Sequence, residues 1–275
     1  NINRGNVDYY YAITPYLRMK LGNRNAFKPW SNEILVKTVV RQDVLTSREQ
    51  TSVGGYIDYM LNYDRADHEW ETHLKTDYYQ NTKLLTEATR SMFTSTYRFR
   101  YLKKKSEKWV ELRVFGGKIW SIKSDPSEFD NTKFALSGNN GVQDLFFDDL
   151  FFNRIPGTGS IYNTMRADNM GGFRSTASFG NASDWMTTAN LYLELPLPIF
   201  GIFADAGAFS NNGTMESVWN LGVGIRIRKL FQIHFPVLMS ENLMASYSSQ
   251  NYLNKIRVTV NLNMLTHPFQ LRNLF

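Results

Sequence analysis

Three successive stretches between Asp184 and Arg228 alternate apolar and polar residues at every second position. The first of them places apolar or small side chains at alternate positions from Trp185 to Leu197. Alternation of this length predicts β-strands with one apolar face and one polar face. The polar faces carry carboxylates, arginines and glycines, whereas the apolar faces are smooth and aliphatic or aromatic. This combination is typical of a barrel whose exterior contacts lipid and whose interior is polar and hydrated.

The same alternation covers most of the remaining chain. Predicted strands lie at 9–21, 33–41, 57–63, 69–78, 90–101 and 109–122, with a weaker one near 133–138, and then at 185–195, 201–207, 217–228, 231–239 and 255–264. Gly116 and Gly117 interrupt the sixth alternation and predict a β-bulge there. This gives about twelve strands, and single-chain bacterial barrels have even strand numbers. We therefore predict an all-β protein, a transmembrane antiparallel β-barrel forming one outer-membrane domain over residues 1–275.

One long irregular segment, roughly 139–183, interrupts the series of strands. Structureless connections of this length are uncommon inside compact domains, and they usually have a function. Two interpretations stay open, a surface loop with a short buried element and a loop that folds back into the barrel lumen. The tail at 265–275 carries Pro268 and is predicted to leave the sheet.

Composition narrows the function classes. The chain of 275 residues has no cysteine and a net charge of +6, and its cationic residues are spread over the predicted strands. The basic cluster at 103–105 is interpreted as a turn near lipid headgroups or solvent, and not as a nucleic-acid patch. As partners we expect outer-membrane lipids and other envelope proteins, and no nucleic acid. No apolar run reaches the roughly eighteen residues of a transmembrane helix. Because the chain starts at Asn1, we expect it to be part of a longer polypeptide.

A soluble β-sandwich would show the same alternation, but its apolar faces would point inward. Alternation alone does not say which face is inside. Strand length, the near absence of predicted helix, and tryptophan and tyrosine near strand ends favour the membrane, because aromatic girdles mark the two interfaces of membrane barrels.

The residues offer no catalytic constellation, no metal site and no cofactor site. The closest match to a zinc-peptidase H-E-x-x-H motif runs from His68 to His73, but its spacing is one residue too long. In a strand these two histidines point to opposite faces, with His68 expected in a turn and His73 in the lumen. Carboxylates on the polar faces are interpreted as a charge network rather than as acid–base pairs, because buried polar groups need partners.

The last third of the chain resembles the surface-antigen barrels of the BamA superfamily of outer-membrane proteins. The residues that carry this resemblance are Gly171-Gly172-Phe173-Arg174 and Phe203-Ala204-Asp205-Ala206-Gly207. In that superfamily an arginine of an inward loop meets the aspartate of an F-x-D-x-G strand inside the barrel. The family arginine usually precedes the glycine and the aromatic residue, whereas Arg174 follows Phe173. Arg166 is therefore a second candidate partner for Asp205.

A second resemblance covers nearly the whole chain. The segments 149–154, 171–173, 202–207, 235–237 and 255–262, with Pro268 and Phe269, resemble the C-terminal barrel region of gluzincin-type, aminopeptidase-like zinc metalloproteins of Gram-negative bacteria. The resemblance implies a barrel that anchors a larger metallopeptidase-like protein and is not itself an enzyme. The alternatives are a surface-antigen-type barrel that takes part in the insertion or transport of outer-membrane proteins or lipids, or a pore.

The sharpest site hypothesis is a structural lock in the lumen. Asp205 shares a strand face with Phe203 and Gly207, and the absence of a side chain at Gly207 allows another element to approach closely. We predict that Asp205 pairs with Arg174 or Arg166 and thereby holds the loop that contains Gly171, Gly172 and Phe173.

Overall fold

The computed structural model describes residues 7–22, 29–45, 48–81, 86–102, 108–123, 132–139, 144–149, 165, 167–176, 180–227, 231–245 and 252–260. The strands are β1 (Val7–Ile13), β2 (Tyr16–Leu21), β3 (Trp30–Leu45), β4 (Arg48–Arg65), β5 (His68–Asn81), β6 (Thr86–Leu102), β7 (Lys108–Lys123), β8 (Phe134–Ala135), β9 (Asn181–Ala182), β10 (Trp185–Glu194), β11 (Phe200–Asn211), β12 (Thr214–Ile227), β13 (Phe231–Met239) and β14 (Arg257–Val260). One short helix, α1, spans Glu241–Ala245, and a 3-10 turn spans Tyr252–Lys255.

Twelve of these strands form one antiparallel sheet, which confirms the predicted antiparallel architecture. The number is twelve because the predicted strand 9–21 is divided into β1 and β2, while the predicted strand near 133–138 does not belong to this sheet. Each strand pairs with its neighbour in the chain, except that β7 pairs with β10 across the long segment. β1 and β2 both pair with β3 and are two halves of one strand, separated at Thr14 and Pro15. Proline has no N–H to donate, and here the Pro15 carbonyl accepts from the Thr38 N–H at 3.0 Å. Among the described residues the sheet runs from β1 and β2 to β14.

Two details of the predicted strands are wrong. The weak strand near 133–138 is the two-residue β8, which pairs with β9 in a separate small sheet. The bulge does not lie at Gly116 and Gly117, which stay in register with β6, but at Trp120, the extra residue between two pairs of that ladder. Gly117 serves close packing instead, because a Cβ there would lie 2.7 Å from Cζ of Phe134.

The polar face of the sheet is buried and the apolar face is exposed. On β12, Asn220 is 1% exposed, whereas its neighbour Trp219 is 48% exposed. Exposed outward side chains recur along the other strands and include Leu17, Ile57, Leu74, Phe93, Leu112, Leu191, Ile202 and Val223. A soluble sandwich would have the opposite arrangement. The exposed apolar face recurs along the whole sheet, which is the arrangement typical of a barrel wall that faces lipid, and the predicted all-β antiparallel fold is confirmed.

The two ends of this wall differ. At the short-turn end, the connections 22–29, 66–67, 103–107, 195–199 and 228–230 join neighbouring strands. At the loop end, β7 and β10 are joined by the long connection 124–184 and β13 and β14 by 240–256, whereas the connections 46–47, 82–85 and 212–213 at this end are short. β3 to β7 are 14–18 residues long, which exceeds the roughly ten residues needed to cross a bilayer.

Helical structure is minor in the described residues. α1 and the 3-10 turn both lie between β13 and β14. No helix in the described part of the chain has the length and apolar character needed to cross a membrane.

The lipid-facing role of the apolar face predicts the outcome of a charge substitution. Leu74 lies near the middle of β5 and is 54% exposed. We expect Leu74→Arg to reduce the free energy of folding into lipid vesicles by about 2–4 kcal/mol, the cost of arginine on the lipid face near the bilayer midplane. Urea titration of the refolded protein by intrinsic fluorescence measures this quantity.

Thr96→Arg is the matched control, because Thr96 lines the lumen cavity and lies opposite Glu71. We expect this variant to fold like the parent protein. An equal loss of stability in both variants would show that the apolar face does not contact lipid.

Candidate functional site

The long segment between β7 and β10 packs against the inner face of the barrel wall, as predicted for a lumen loop. Its described residues 132–139, 144–149, 167–176 and 180–184 are mostly buried. Two loop side chains, Phe134 and Phe173, are completely buried. The loop therefore fills part of the lumen with protein.

Apolar packing against the wall holds the loop at two places. The first cluster joins loop residues to the inner faces of β7, β10, β11 and β12, and contains Phe115, Ile119, Phe134, Ala135, Leu136, Met170, Phe173, Ala182, Met186, Phe209 and Val218. In the second, Leu145 and Phe146 pack on Val39, Tyr56 and Tyr79. Since the apolar side chains of the outer face are exposed, these clusters are the hydrophobic core of the described residues.

Ion pairs add to the second cluster. The Asp148 carboxylate accepts from Lys37 and Lys75, each at 2.9 Å, and from the Tyr56 hydroxyl at 2.7 Å. Burial raises the pKa of the Asp148 carboxyl, but the Lys75 and Lys37 ammonium groups lower it by more, so this pKa lies below its ordinary value. Asp148 therefore ties the loop to β3, β4 and β5 as a charged carboxylate.

The Asp205 carboxylate lies at the centre of the lumen contacts. Arg174 Nη1 donates to Asp205 Oδ1 at 2.8 Å, and the Arg174 backbone N–H donates to Oδ2 at 2.7 Å. Asn190 Nδ2 donates to Oδ1 at 3.1 Å. The Asp205 side chain has no solvent exposure, and that of Arg174 is 5% exposed. The structure thus brings together the aspartate and one of its two predicted partners.

The loop glycines allow this close approach. Gly172 has a φ of +62°, and a Cβ there would lie 2.6 Å from Nη1 of Arg113. A Cβ on Gly171 would lie 2.3 Å from the Leu136 carbonyl oxygen, inside the loop itself. On β11, a Cβ on Gly207 would lie 3.1 Å from Cε2 of Phe173. The loop aromatic residue therefore occupies the space that Gly207 leaves.

Glu111 on β7 joins three arginines, and sequence reasoning missed it. Arg226 Nη1 lies 3.1 Å from Glu111 Oε2, Arg98 Nε lies 3.4 Å from the same oxygen, and Arg174 Nη2 lies 3.4 Å from Oε1. The Arg226 guanidinium also lies over the Tyr192 ring at 4.0 Å. Glu111 thereby links the Asp205–Arg174 pair to β6 and β12.

Two more arginines hold the loop backbone. Arg113 Nη2 donates to the Met170 carbonyl at 2.7 Å. Arg257 on β14 donates to the Phe173 carbonyl and to Asp168 Oδ1, the latter at 2.7 Å. Both arginines lie on polar strand faces, and that was the available sequence signal.

The other residues predicted for the lumen site and for the second resemblance lie partly within the described residues. Phe203 is buried, with its ring perpendicular to that of His234 at 5.4 Å. Arg166 lies outside the described residues, as do residues 150–154 and 261–262, Pro268 and Phe269 of the second resemblance and the predicted tail 265–275. The connection between β7 and β10 runs over 124–184, so it begins earlier than the predicted irregular segment 139–183.

The histidine pair does not form a metal site. The prediction that His68 lies in a turn is wrong, because this residue begins β5 and its Nδ1 lies 2.8 Å from the Tyr97 hydroxyl. His73 lines the lumen, as predicted, with Nδ1 3.0 Å from Asp58 Oδ2 and Nε2 2.9 Å from Glu71 Oε1. No group of three or more potential ligands suited to a metal ion occurs in the described residues.

A cavity of about 1430 Å³ lies beneath the loop. Its walls are inward-facing side chains of β4 to β7, β10, β12 and β13, and loop residues 144–149 and 168–174 form its ceiling. Asp64 and Glu69 place it near the short-turn end. The loop therefore covers one side of a polar chamber.

Comparisons with known proteins give limited information. No protein-family model matches this chain, and no curated protein matches it. Among solved structures, CdiB from Acinetobacter baumannii is similar at a TM-score of 0.45 and 10% identity, over 85% of this chain and 40% of that one. This chain therefore spans less than half of that protein. The likeness is weaker than that between proteins sharing one fold, so function is inferred from the chain's own geometry.

The Asp205–Arg174 contact predicts that truncation of the Asp205 side chain causes a large loss of stability. We expect Asp205→Ala to destabilise the barrel by about 3–5 kcal/mol, because the buried Arg174 would lose its closer carboxylate partner and keep only the 3.4 Å contact with Glu111. The measurement is the temperature at which the folded form loses its faster mobility in detergent gels.

Lys118→Ala is the control, since Lys118 pairs with Asp184 at 3.3 Å with both side chains more than two-fifths exposed. Exposed pairs contribute about 0–1 kcal/mol, so this variant should resemble the parent. Unchanged heat resistance of Asp205→Ala would contradict the lock.

Proposed function

We propose that this chain is the membrane anchor of a larger bacterial envelope protein, embedded as a β-barrel in the outer membrane. The observation that supports this most directly is the inverted arrangement of the wall. Aliphatic and aromatic side chains face outward and are exposed, whereas arginines and carboxylates face inward and are buried. Such a surface is stable in lipid and not in water.

The contacts in the lumen support a scaffold rather than a catalyst. Asp205, Arg174 and Glu111 contact one another or the loop backbone, and the glycines at 171 and 172 let the loop approach the wall. We infer that this set acts as a lock that keeps the loop in place. Outer-membrane lipids are then the direct partners of the barrel, and other envelope proteins contact its ends.

The nature of the larger protein is inferred from the second sequence resemblance. Segments 202–207 and 235–237, which resemble the barrel region of gluzincin-type metalloproteins, lie on β11 and β13, the two strands that pair with β12. On this proposal the chain carries no enzymatic activity, and a metallopeptidase-like domain belongs to another part of the polypeptide. A gene product that encodes an upstream H-E-x-x-H motif would support this assignment.

A second candidate function is the insertion or transport of outer-membrane proteins or lipids, or conduction through a pore. The chamber of about 1430 Å³ near the short-turn end favours it, because a purely structural barrel of this size has no need for a large polar cavity. In this alternative the loop acts as a gate rather than as a fixed plug.

Membrane insertion and orientation can be tested by labelling, because the chain has no cysteine. Thr214→Cys places a thiol at the loop end, and Ala66→Cys places one at the short-turn end, both at exposed positions. Bacterial barrels have short periplasmic turns and longer outer loops. A membrane-impermeant maleimide added to intact cells should label Thr214→Cys, and should label Ala66→Cys only after the outer membrane is permeabilised.

Equal labelling of both variants in intact cells, or recovery of the protein without detergent, would contradict the membrane anchor. The parent chain, which has no thiol, is the control for background labelling.

Conductance separates the anchor from the transport alternative. If the lock holds the loop permanently, the purified barrel in planar bilayers should show no steady ionic current, while Asp205→Ala should show intermittent openings because the loop is released. Steady current through the parent barrel would contradict the anchor and support the pore. The Lys118→Ala variant, which removes an exposed ion pair outside the lock and should conduct like the parent, is the control.

A further inference from the structure

We propose that part of the lumen loop, residues 165 and 167–176, is a strap that holds β14 in the wall and is released when the lock at Asp205 opens. β14 is the shortest strand of the twelve-stranded sheet, and its ladder with β13 has four residue pairs. A ladder this short contributes few backbone hydrogen bonds, so β14 depends on contacts with other parts of the chain. The proposal rests on the lock inferred above and goes beyond it to the wall itself.

The two edges of the described sheet run in the same direction. Every neighbouring pair of strands in the sheet is antiparallel. β1 and β2 share the first position and β14 has the eleventh, so pairing between these edges would be parallel, unlike every other ladder of the sheet. An edge strand that stays uncovered is a template for the strand of another chain. The outer edge of β14, on the side away from β13, therefore calls for a cover of another kind.

The loop supplies this cover at Val258. This residue pairs with Ile233 of β13 on one side and forms a parallel bridge with the loop residue Met165 on the other. Met165 is only 6% exposed, so the bridge is enclosed by protein. The loop thereby takes the position at which a further strand would have to pair with β14.

Arg257 fastens the same strand to the loop through its side chain, which is completely buried. Its guanidinium donates to the Phe173 carbonyl, to the Ala167 carbonyl at 3.1 Å and to Asp168 Oδ1 at 2.7 Å. All three acceptors belong to the strap. The first residue of β14 is therefore bound more extensively by the loop than a neighbouring strand could bind it.

Thr176 holds the 3-10 turn that leads into β14. Its backbone N–H donates to the Lys255 carbonyl at 3.4 Å, and its hydroxyl donates to the Asn254 carbonyl. Thr176 is itself buried. The strap thus binds both the strand and the turn before it.

The strap and the lock belong to one short piece of chain. Phe173, whose carbonyl accepts from Arg257, is followed directly by Arg174. Arg174 binds Asp205 on β11 through both its guanidinium and its backbone N–H. Residues 173–176 therefore join β11 to β14, although β12 and β13 lie between these strands in the wall. Opening the lock frees this segment from β11 and weakens its hold on β14.

Disulfide formation tests whether the loop covers the edge, because the chain has no cysteine. Paired strands lie about 4.8 Å apart, which is within the range of Cα separations that a disulfide bridges. In the full chain refolded in nonionic detergent, Met165→Cys with Val258→Cys should form an intramolecular disulfide under mild oxidation. Thr214→Cys with Val258→Cys is the control and should form none, because Thr214 lies at the loop end of β12.

Reduction of the Met165→Cys/Val258→Cys disulfide in glutathione buffers tests the coupling. The equilibrium reports how closely the loop holds the two thiols together in the folded barrel. We expect Asp205→Ala to shift it toward the dithiol by about tenfold, because the released loop lowers the effective concentration of one thiol near the other. Lys118→Ala, which breaks an exposed pair outside the lock, should leave it unchanged.

A milder variant makes the test independent of the stability of Asp205→Ala. Thr176→Val removes the hydroxyl that binds the Asn254 carbonyl, and should speed amide hydrogen exchange in 256–260 by about fivefold, the effect of losing one intramolecular hydrogen bond. Thr187→Val is the matched control, because the Thr187 hydroxyl binds the Phe115 carbonyl between β10 and β7. This variant should leave the exchange of 256–260 unchanged.

Three results would overturn the proposal. One is the absence of the Met165→Cys/Val258→Cys disulfide in folded protein, and another is unchanged exchange of 256–260 in Thr176→Val. The third is an unchanged glutathione equilibrium in Asp205→Ala. If that variant nevertheless loses its heat resistance, the lock stands and only its coupling to β14 is wrong. None of these results bears on the membrane location, which the cysteine labelling tests separately.

Discussion

The pairing of charges inside a lipid-facing wall is the constraint on which the rest of this structure depends. When the apolar faces point outward, many arginines and carboxylates of the opposite faces become buried, among them Asp77, Arg90 and Asp205. A buried charge without a partner costs several kcal/mol, so these groups need one another or the loop. Asp205 illustrates the result, because its two oxygens accept from Arg174 twice and from Asn190. The loop is therefore part of the electrostatic balance of the barrel.

The same constraint explains where side chains are absent. Gly117, Gly172 and Gly207 lie where a Cβ would approach a loop phenylalanine or a wall arginine within about 3 Å. Each glycine therefore allows one close contact between loop and wall. The charged contacts depend on this fit, since hydrogen bonds of 2.7–2.8 Å between loop and wall require the loop to lie close to the strands. Close packing at the glycines and the charged hydrogen bonds therefore favour the same position of the loop against the wall.

Much of the fold could be predicted from local patterns. Strand alternation predicted the antiparallel sheet and the residues on each face, including the face shared by Phe203, Asp205 and Gly207. It failed at β8, because a short apolar stretch in a loop resembles a strand, and at Trp120, because a bulge depends on the partner strand. The contact of Asp205 with Arg174 is present, while its role as a lock and the single-domain assignment stay predictions.

Strand alternation could not predict contacts between residues that are far apart in the sequence. Glu111 and Arg226 are 115 positions apart, and no spacing rule connects them. The choice of Arg174 as a partner of Asp205 and the position of Arg257 against Phe173 are of the same kind. The reason is physical. The side-chain period of a strand is local and decides which residues share a face, whereas curvature of the sheet and the path of the loop decide which face is enclosed and which charges meet.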